Sequence, residues 1–324
     1  MRGRLIGLVV IALLVPAGLA AAKSAPTATT PKSGSMKLYL NGVYFVSKHA
    51  VTVPGRPMQV HGVVWPFMKD QKVTLVASIG KSVIGRYTTW IYPSKNGHYG
   101  IFTKTFKSGL TGDVTVTAVH ARNDLLKGFG AERHYSLLSE NVGFGSTGPM
   151  VQLIQQRLAY LHFYIPQTGV YDQGTGLAMD AYHRLLGWGV YQTVDHNTIQ
   201  YLLNGWGQFK VRFPNQGQHA EGDLSDQLLA LINGSHVYAI YPISSGKPST
   251  PTILGEFHVY QKTPGYLPDG MYYSNFFTGG YAIHGYDPAP DYPASHGCMR
   301  LPIVDAISVY NWLQIGNGVD TYYT

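Results

Sequence analysis

Between residues 36 and 140 apolar side chains recur at every second position over short stretches. Val114-Thr115-Val116-Thr117-Ala118-Val119 alternates most regularly, and Val73-Thr74-Leu75-Val76-Ala77 has the same β-branched character. Successive side chains of a strand point to opposite faces, so this period predicts half-buried strands. Gln59 to Val64 and Gly85 to Ile91 are of the same kind. Pro54-Gly55, Asn96-Gly97, Ser108-Gly109 and Thr111-Gly112-Asp113 place turn formers between them. Roughly seven short strands at this spacing predict a β-sandwich, immunoglobulin-like in outline.

From residue 143 to about 206 the period changes. Gly148-Pro149 opens a helix, and Val151, Ile154, Leu158 and Leu161 follow at i, i+3, i+7 and i+10. Asp172 is placed to cap a second helix with Leu177, Ala181, Tyr182 and Leu185 on its apolar face. Asp195 is placed to cap a third carrying Ile199, Leu202 and Leu203. Three short helices predict a small bundle. Residues 207 to 324 return to strands. Val237 to Ile243, Gly255 to Tyr260 and Gly280 to His284 are strand candidates. Asp305 to Gln314 is the one clear helix, with Ala306, Val309, Tyr310 and Leu313 on one face.

A chain of 324 residues is too long for one ordinary domain and suits this multidomain division. Its first 22 residues stand apart. Arg2 and Arg4 precede a largely apolar run, Leu5 to Val15, and Ala20-Ala21-Ala22 fits a small-residue cleavage site. The run is short for a bilayer-spanning helix, so residues 1–22 read as a secretory signal, with an uncleaved membrane anchor as the alternative. The signal holds no Cys to carry lipid, and no later segment is apolar enough to span a membrane. Residues 23–35, rich in Pro, Ser and Thr, read as a linker. Without Arg2 and Arg4 the chain carries 22 basic against 17 acidic groups. Lys and Arg are scattered rather than clustered, so an anionic cell envelope is the expected partner and nucleic acid is not.

The chain has one cysteine, Cys298. A secreted protein with a single Cys has no internal disulfide to form, which points to a reactive thiol or an intermolecular bridge. A free thiol is only about 3 % ionised at neutral pH, so a nucleophilic Cys needs a base or a lowered pKa. His296 lies two residues away, and His284 ends the Tyr281 to His284 run. An extended segment puts His296 on the face of Cys298 without bringing its ring to the sulfur. A histidine on a neighbouring strand approaches side-on, which favours His284 as base and leaves His296 in support. Gly297 lets a substrate or backbone come close, and the N–H groups of Gly297 and Cys298 are candidate oxyanion donors. The planar fork of Arg300 suits a carboxylate. A zinc trio of His284, His296 and Cys298 is a competing arrangement, and His219, Glu221 and Asp223 alternate on one strand face. The expectation is no metal and no cofactor.

Two stretches resemble known families. Gly145-x-x-Gly148-x-x-Val151-x-x-Ile154-Gln155-x-x-Leu158, followed by Gly169-Val170-Tyr171-Asp172-Gln173-Gly174-Thr175, resembles a three-helix peptidoglycan-binding module. It departs from that pattern at Gly174 and Gly176. Ile283-His284-Gly285, a loop, then Ser295-His296-Gly297-Cys298-Met299-Arg300-Leu301 resembles the signature of L,D-transpeptidase (YkuD-type) catalytic domains. Asp223-Leu224-Ser225-x-Gln227, Ser244-Ser245-Gly246, Pro251-Thr252-x-x-Gly255-x-Phe257 and Met271-x-Tyr273 support it. The His284–Ser295 loop is short for the family, and Arg300 stands where some members carry Asn.

The resemblance implies a secreted cell-wall enzyme forming 3→3 peptidoglycan cross-links through a cysteine thioester. It implies Cys298 as nucleophile and His284 as base, with the Gly285 carbonyl orienting His284. His296, Gly297 and Cys298 would shape the oxyanion hole, and Arg300, Tyr273 and Ser295 would bind substrate. Partners would be stem peptides and glycan. L,D-carboxypeptidase activity and a non-catalytic wall-binding role are the alternatives.

Overall fold

The computed structural model of the protein describes residues 30–324. The signal read over residues 1–22 and its anchor alternative lie outside the described residues. Among these residues no helix is long and apolar enough to cross a membrane.

Ten strands precede the first helix: β1 (Ser35–Asn41), β2 (Tyr44–Val46), β3 (His49–Thr52), β4 (Met58–Trp65), β5 (Lys72–Ile79), β6 (Ser82–Trp90), β7 (Tyr92–Pro93), β8 (Gly100–Phe106), β9 (Gly112–His120) and β10 (Phe129–Leu137). They form a four-stranded sheet, β1-β4-β8-β7, and a six-stranded sheet, β2-β3-β10-β9-β5-β6. Leu38, Val60 and Phe102 of the first meet Leu75, Val116 and Leu137 of the second in one core. The expected count of seven strands was low because β2, β3 and β7 have four residues or fewer and show no readable period. The segment read as a linker is pinned at its end. Lys32 N–H donates to the Leu125 carbonyl (2.9 Å), Lys127 N–H donates to the Lys32 carbonyl (2.9 Å), and Ser35 already belongs to β1.

Three helices follow: α1 (Pro149–Tyr160), α2 (Gln173–Leu185) and α3 (His196–Asn204). Pro149 opens α1, where its missing N–H removes no helical bond. Asp172 and Asp195 cap α2 and α3 by accepting the N–H of Thr175 (2.9 Å) and Thr198 (2.7 Å). Each such cap is worth about 1 kcal/mol. The expected apolar face of α2 needs correction. Met179, Asp180, His183 and Arg184 are buried, whereas Leu177 and Leu185 are only partly so. The cause is enclosure on more than one side. A Cβ on Gly176 would stand 2.7 Å from the Phe144 ring and from Gln192 Oε1, so this departure from the expected helix formers follows from a close approach.

The remaining elements are β11 (Gln218–Asp223), β12 (Leu228–Asn233), β13 (His236–Pro242), β14 (Gly255–His258), β15 (Gln261–Tyr266), β16 (Tyr272–Thr278), β17 (Tyr281–Gly285), β18 (Met299–Leu301), α4 (Ile303–Trp312) and β19 (Gly318–Tyr322). One sheet runs β13-β12-β11-β19-β14 and a second β15-β16-β17-β18. The Gly255–Tyr260 candidate is shorter than expected: β14 ends at His258, and β15 starts at Gln261 in the other sheet. Leu229 and Leu231 of β12, Ile283 of β17, Met299 of β18 and Val309 of α4 share the core between the sheets. The other face of β12 (Leu228, Ala230, Ile232) lies in a separate core with Leu153, Ile154, Met179 and Leu202 of the helices and with Val46, Val51 and Val53 of the first domain. The expected small bundle is thus not free-standing: its helices close one core with strands from both β-domains.

Candidate active site

The site is built where β17 and β18 run parallel, with His284 opposite Arg300 and Ile283 opposite Met299. The period of two sorts the side chains. Ile283, Met299 and Leu301 are fully buried in the core. Cys298 just before β18, Arg300 on β18 and His284 on β17 open instead into a cleft of about 580 Å³. Leu267, Asp269, Met271 and Phe276 face them across it, with Tyr286 alongside.

Cys298 is partly exposed, and its thiol lies 3.6 Å from the Gly280 carbonyl. His284 is buried, and its Nδ1 lies 2.9 Å from the Gly285 carbonyl oxygen. A carbonyl only accepts, so Nδ1 carries the proton and the Nε2 lone pair is left to act as base. Gly285 is fixed beneath α4, where a Cβ would come within 2.7 Å of Ala306 Cβ. Burial pushes the His284 pKa down to about 4, against the Gly285 hydrogen bond and with help from the Arg300 charge. Burial also holds the Cys298 thiol above its ordinary value, against a hydrogen bond from the Ala282 backbone and the Arg300 charge. The resting pair is therefore neutral thiol and neutral imidazole.

The turn before Cys298 is locked from within. Ser295 is fully buried, and its Oγ accepts the Gly297 N–H (3.0 Å) while donating to the Cys298 carbonyl (2.6 Å). Two expectations change accordingly. The Gly297 N–H is engaged by Ser295, which leaves the Cys298 N–H as the oxyanion donor of this pair. Ser295 borders the cleft, but its hydroxyl serves the turn. Gly297 has φ +121°, and a Cβ there would lie 2.4 Å from the Tyr281 ring, so conformation and space both require glycine. His296 is exposed at the cleft mouth, its Nε2 accepting from the Lys247 ammonium (3.1 Å).

Arg300 stacks its guanidinium on Tyr286, 3.9 Å from the ring centre. It makes no ion pair among the described residues, so its donors face the cleft. Tyr273 lies elsewhere. It packs edge-on against Tyr310 of α4 at 5.0 Å and does not line the cleft. Lys247, Asp269, Phe276 and Tyr286 carried no motif.

The residues considered for metal are not brought together as ligands. His219 Nε2 meets Glu221 (3.3 Å), and Glu221 also accepts the N–H groups of Arg212 and Phe213 and the Tyr322 hydroxyl (2.8 Å). Among the described residues no three His, Cys, Asp or Glu side chains converge as a metal site.

A lone thiol and a singly protonated imidazole in one cleft are the groups that cysteine acyl transfer requires. Comparison with known proteins narrows the class. Residues 217–320 match the family model of the L,D-transpeptidase catalytic domain (YkuD). The crystal structure of an L,D-transpeptidase from Xylanimonas cellulosilytica is similar at 30% identity and TM-score 0.52, covering 57% of this chain and 98% of that one. The catalytic domain of an L,D-transpeptidase from E. faecium is similar at 26% identity and TM-score 0.30, covering 33% of this chain and 98% of that one. No curated protein matched. The chain belongs to the L,D-transpeptidase family.

Proposed function

We propose that the protein is a secreted cell-wall enzyme that transfers acyl groups between peptidoglycan stem peptides and forms 3→3 cross-links. The observation that carries the reading is the His284–Gly285 hydrogen bond, which turns the lone pair of a buried, neutral imidazole toward the cleft holding Cys298.

The Cys298 sulfur attacks the carbonyl at the L-centre of the third residue of a donor tetrapeptide, and the thiol proton passes to His284 Nε2. The Cys298 N–H stabilises the oxyanion. The imidazolium returns its proton to the departing D-Ala amine, leaving a thioester on Cys298. The side-chain amine of a neighbouring stem's third residue then attacks the thioester and gives its proton to His284; the C–S bond breaks as the new amide forms, and His284 returns the proton to the departing Cys298 sulfur. Arg300, held flat by Tyr286, receives a substrate carboxylate, while Asp269 gives the opposite wall a counter-charge for an amine. The α1–α3 segment and a basic surface would keep the enzyme on glycan and anionic wall polymer.

Incubation with disaccharide-tetrapeptide followed by mass spectrometry tests the reading. Wild type is expected to release D-Ala and form dimers, and C298A to do neither. Release of D-Ala without dimer would assign carboxypeptidase activity. Identical behaviour of wild type and C298A would defeat the catalytic reading.

A further inference from the structure

The buried pair Asp180–Arg184 lies on α2, outside the catalytic strands. Arg184 Nη2 stands 2.5 Å from Asp180 Oδ2, and both side chains are more than nine-tenths buried. Burial holds the Asp180 carboxyl above its ordinary value in spite of Arg184. Two atoms of the pair, Asp180 Oδ1 and Arg184 Nε, have no partner. The two residues also line a cleft of about 280 Å³ together with Ala289, Pro290 and Asp291, from the loop between His284 and Cys298. Desolvating two charges costs more than such a pair usually returns, so stability is a poor reason for it.

What the pair holds suggests another reason. Arg184 Nη1 donates to the carbonyls of Gln227 (3.2 Å) and Ile243 (3.1 Å), two residues of the catalytic domain. The Gln227 side chain receives the Ser245 N–H (2.8 Å) and donates to Ser245 Oγ (2.8 Å). The Ser245 carbonyl accepts the N–H groups of Ala294 and Ser295, each at 2.9 Å. Ser244 exchanges two backbone hydrogen bonds with Arg300, both 2.9 Å. Ser295 in turn locks the turn that carries Cys298. The route from α2 to Cys298 is thus a series of largely buried hydrogen bonds linked through Gln227, Ser245 and Ser295.

We infer that Arg184 is a positioning residue for the nucleophile: anchored by Asp180, it sets the Gln227–Ser245 clamp that places the Ser295–Cys298 turn. The upstream helices thereby belong to the catalytic geometry as well as to the core. The kinetic part of this inference rests on the transpeptidase reading; the thiol-reactivity part does not.

The test compares wild type, R184K and the double variant D180N/R184M in the full chain. The double variant keeps a similar shape and leaves no unpaired buried charge. Two quantities are read per folded molecule: the rate of Cys298 alkylation by iodoacetamide across pH, and the kcat and KM of D-Ala release. The double variant is expected to alkylate with a displaced pH profile and to lose about ten- to a hundredfold in kcat with KM little changed, the scale of a small misplacement at the reacting atoms. R184K, which keeps the charge but loses the planar two-nitrogen fork, is expected to fall between the two. Wild-type alkylation in the double variant would overturn the inference, as would losses that only track the unfolded fraction or an R184K no better than the double variant. If wild type released no D-Ala, the functional reading would fail while the alkylation profile still decided the positioning role.

Discussion

At the residue scale the pair of Cys298 and His284 carries a definite acid–base signature. The His284 pKa is pushed down to about 4 and the thiol is held above its ordinary value, so neither ionises near neutrality. Alkylation of Cys298 should therefore keep rising with pH beyond the ordinary thiol range. A plateau below pH 7 would reveal a thiolate–imidazolium ion pair and contradict the assignment. Turnover should survive acidification past pH 6 and lose its base only as His284 protonates near pH 4. Gly297 makes a second prediction. Its φ of +121° and the 2.4 Å approach of Tyr281 to a Cβ mean that G297A should cost about 1–3 kcal/mol in stability and remove most activity. Wild-type melting and turnover in G297A would contradict the turn geometry.

At the element scale β11 carries the buried His219–Glu221 pair, and Glu221 ties the strand to Tyr322 of β19 and to the N–H groups of Arg212 and Phe213. For His219, burial lowers the pKa, but Glu221 and the Gly217 carbonyl outweigh it and the net shift is upward. For Glu221, burial raises the pKa, but His219 and its other donors outweigh it and the net shift is downward. The Glu221 contribution is therefore present above its unfolded value of about 4.5 and lost as pH falls through its lower folded value. The His219 contribution is complete below about 6.5 and lost as pH rises through its higher folded value. H219Q should flatten the loss of melting temperature on the alkaline side, measured by thermal denaturation at pH 5 to 8. An unchanged slope would remove His219 from that account.

Elements with one wet face or a local cap were legible in the sequence. The period of two marked β5 and β9, and Asp172 and Asp195 marked the starts of α2 and α3. The Ser295–Leu301 motif marked the turn that carries Cys298, and the Tyr281–His284 run marked β17, whose His284 opens into the same cleft. What stayed hidden depends on tertiary neighbours. Leu228 to Ile232 is a continuous apolar run because both faces of β12 are covered, so it shows no alternation. Arg184 looks like an exposed helix residue until the catalytic domain is packed on it. Tyr273 follows a motif residue, Met271, into the structure but turns toward α4.

At the scale of the whole molecule, the helices and the catalytic domain share a core. Leu228, Ala230, Ile232 and Ile240 would lose their cover if residues 1–206 were removed. Each of the Leu and Ile side chains is worth about 1.5–3 kcal/mol when buried. A fragment of residues 207–324 should melt well below a fragment of residues 141–324, or aggregate, in a direct comparison by scanning calorimetry. Equal melting temperatures would show that the helices are a dispensable appendage.

The most direct test of the account is intact-protein mass spectrometry of the enzyme quenched in acid during turnover of a tetrapeptide donor. The account predicts an adduct equal to the donor less D-Ala, localised to Cys298 by peptide mapping and absent from C298A. Turnover with no adduct at Cys298, undiminished in C298A, would contradict it.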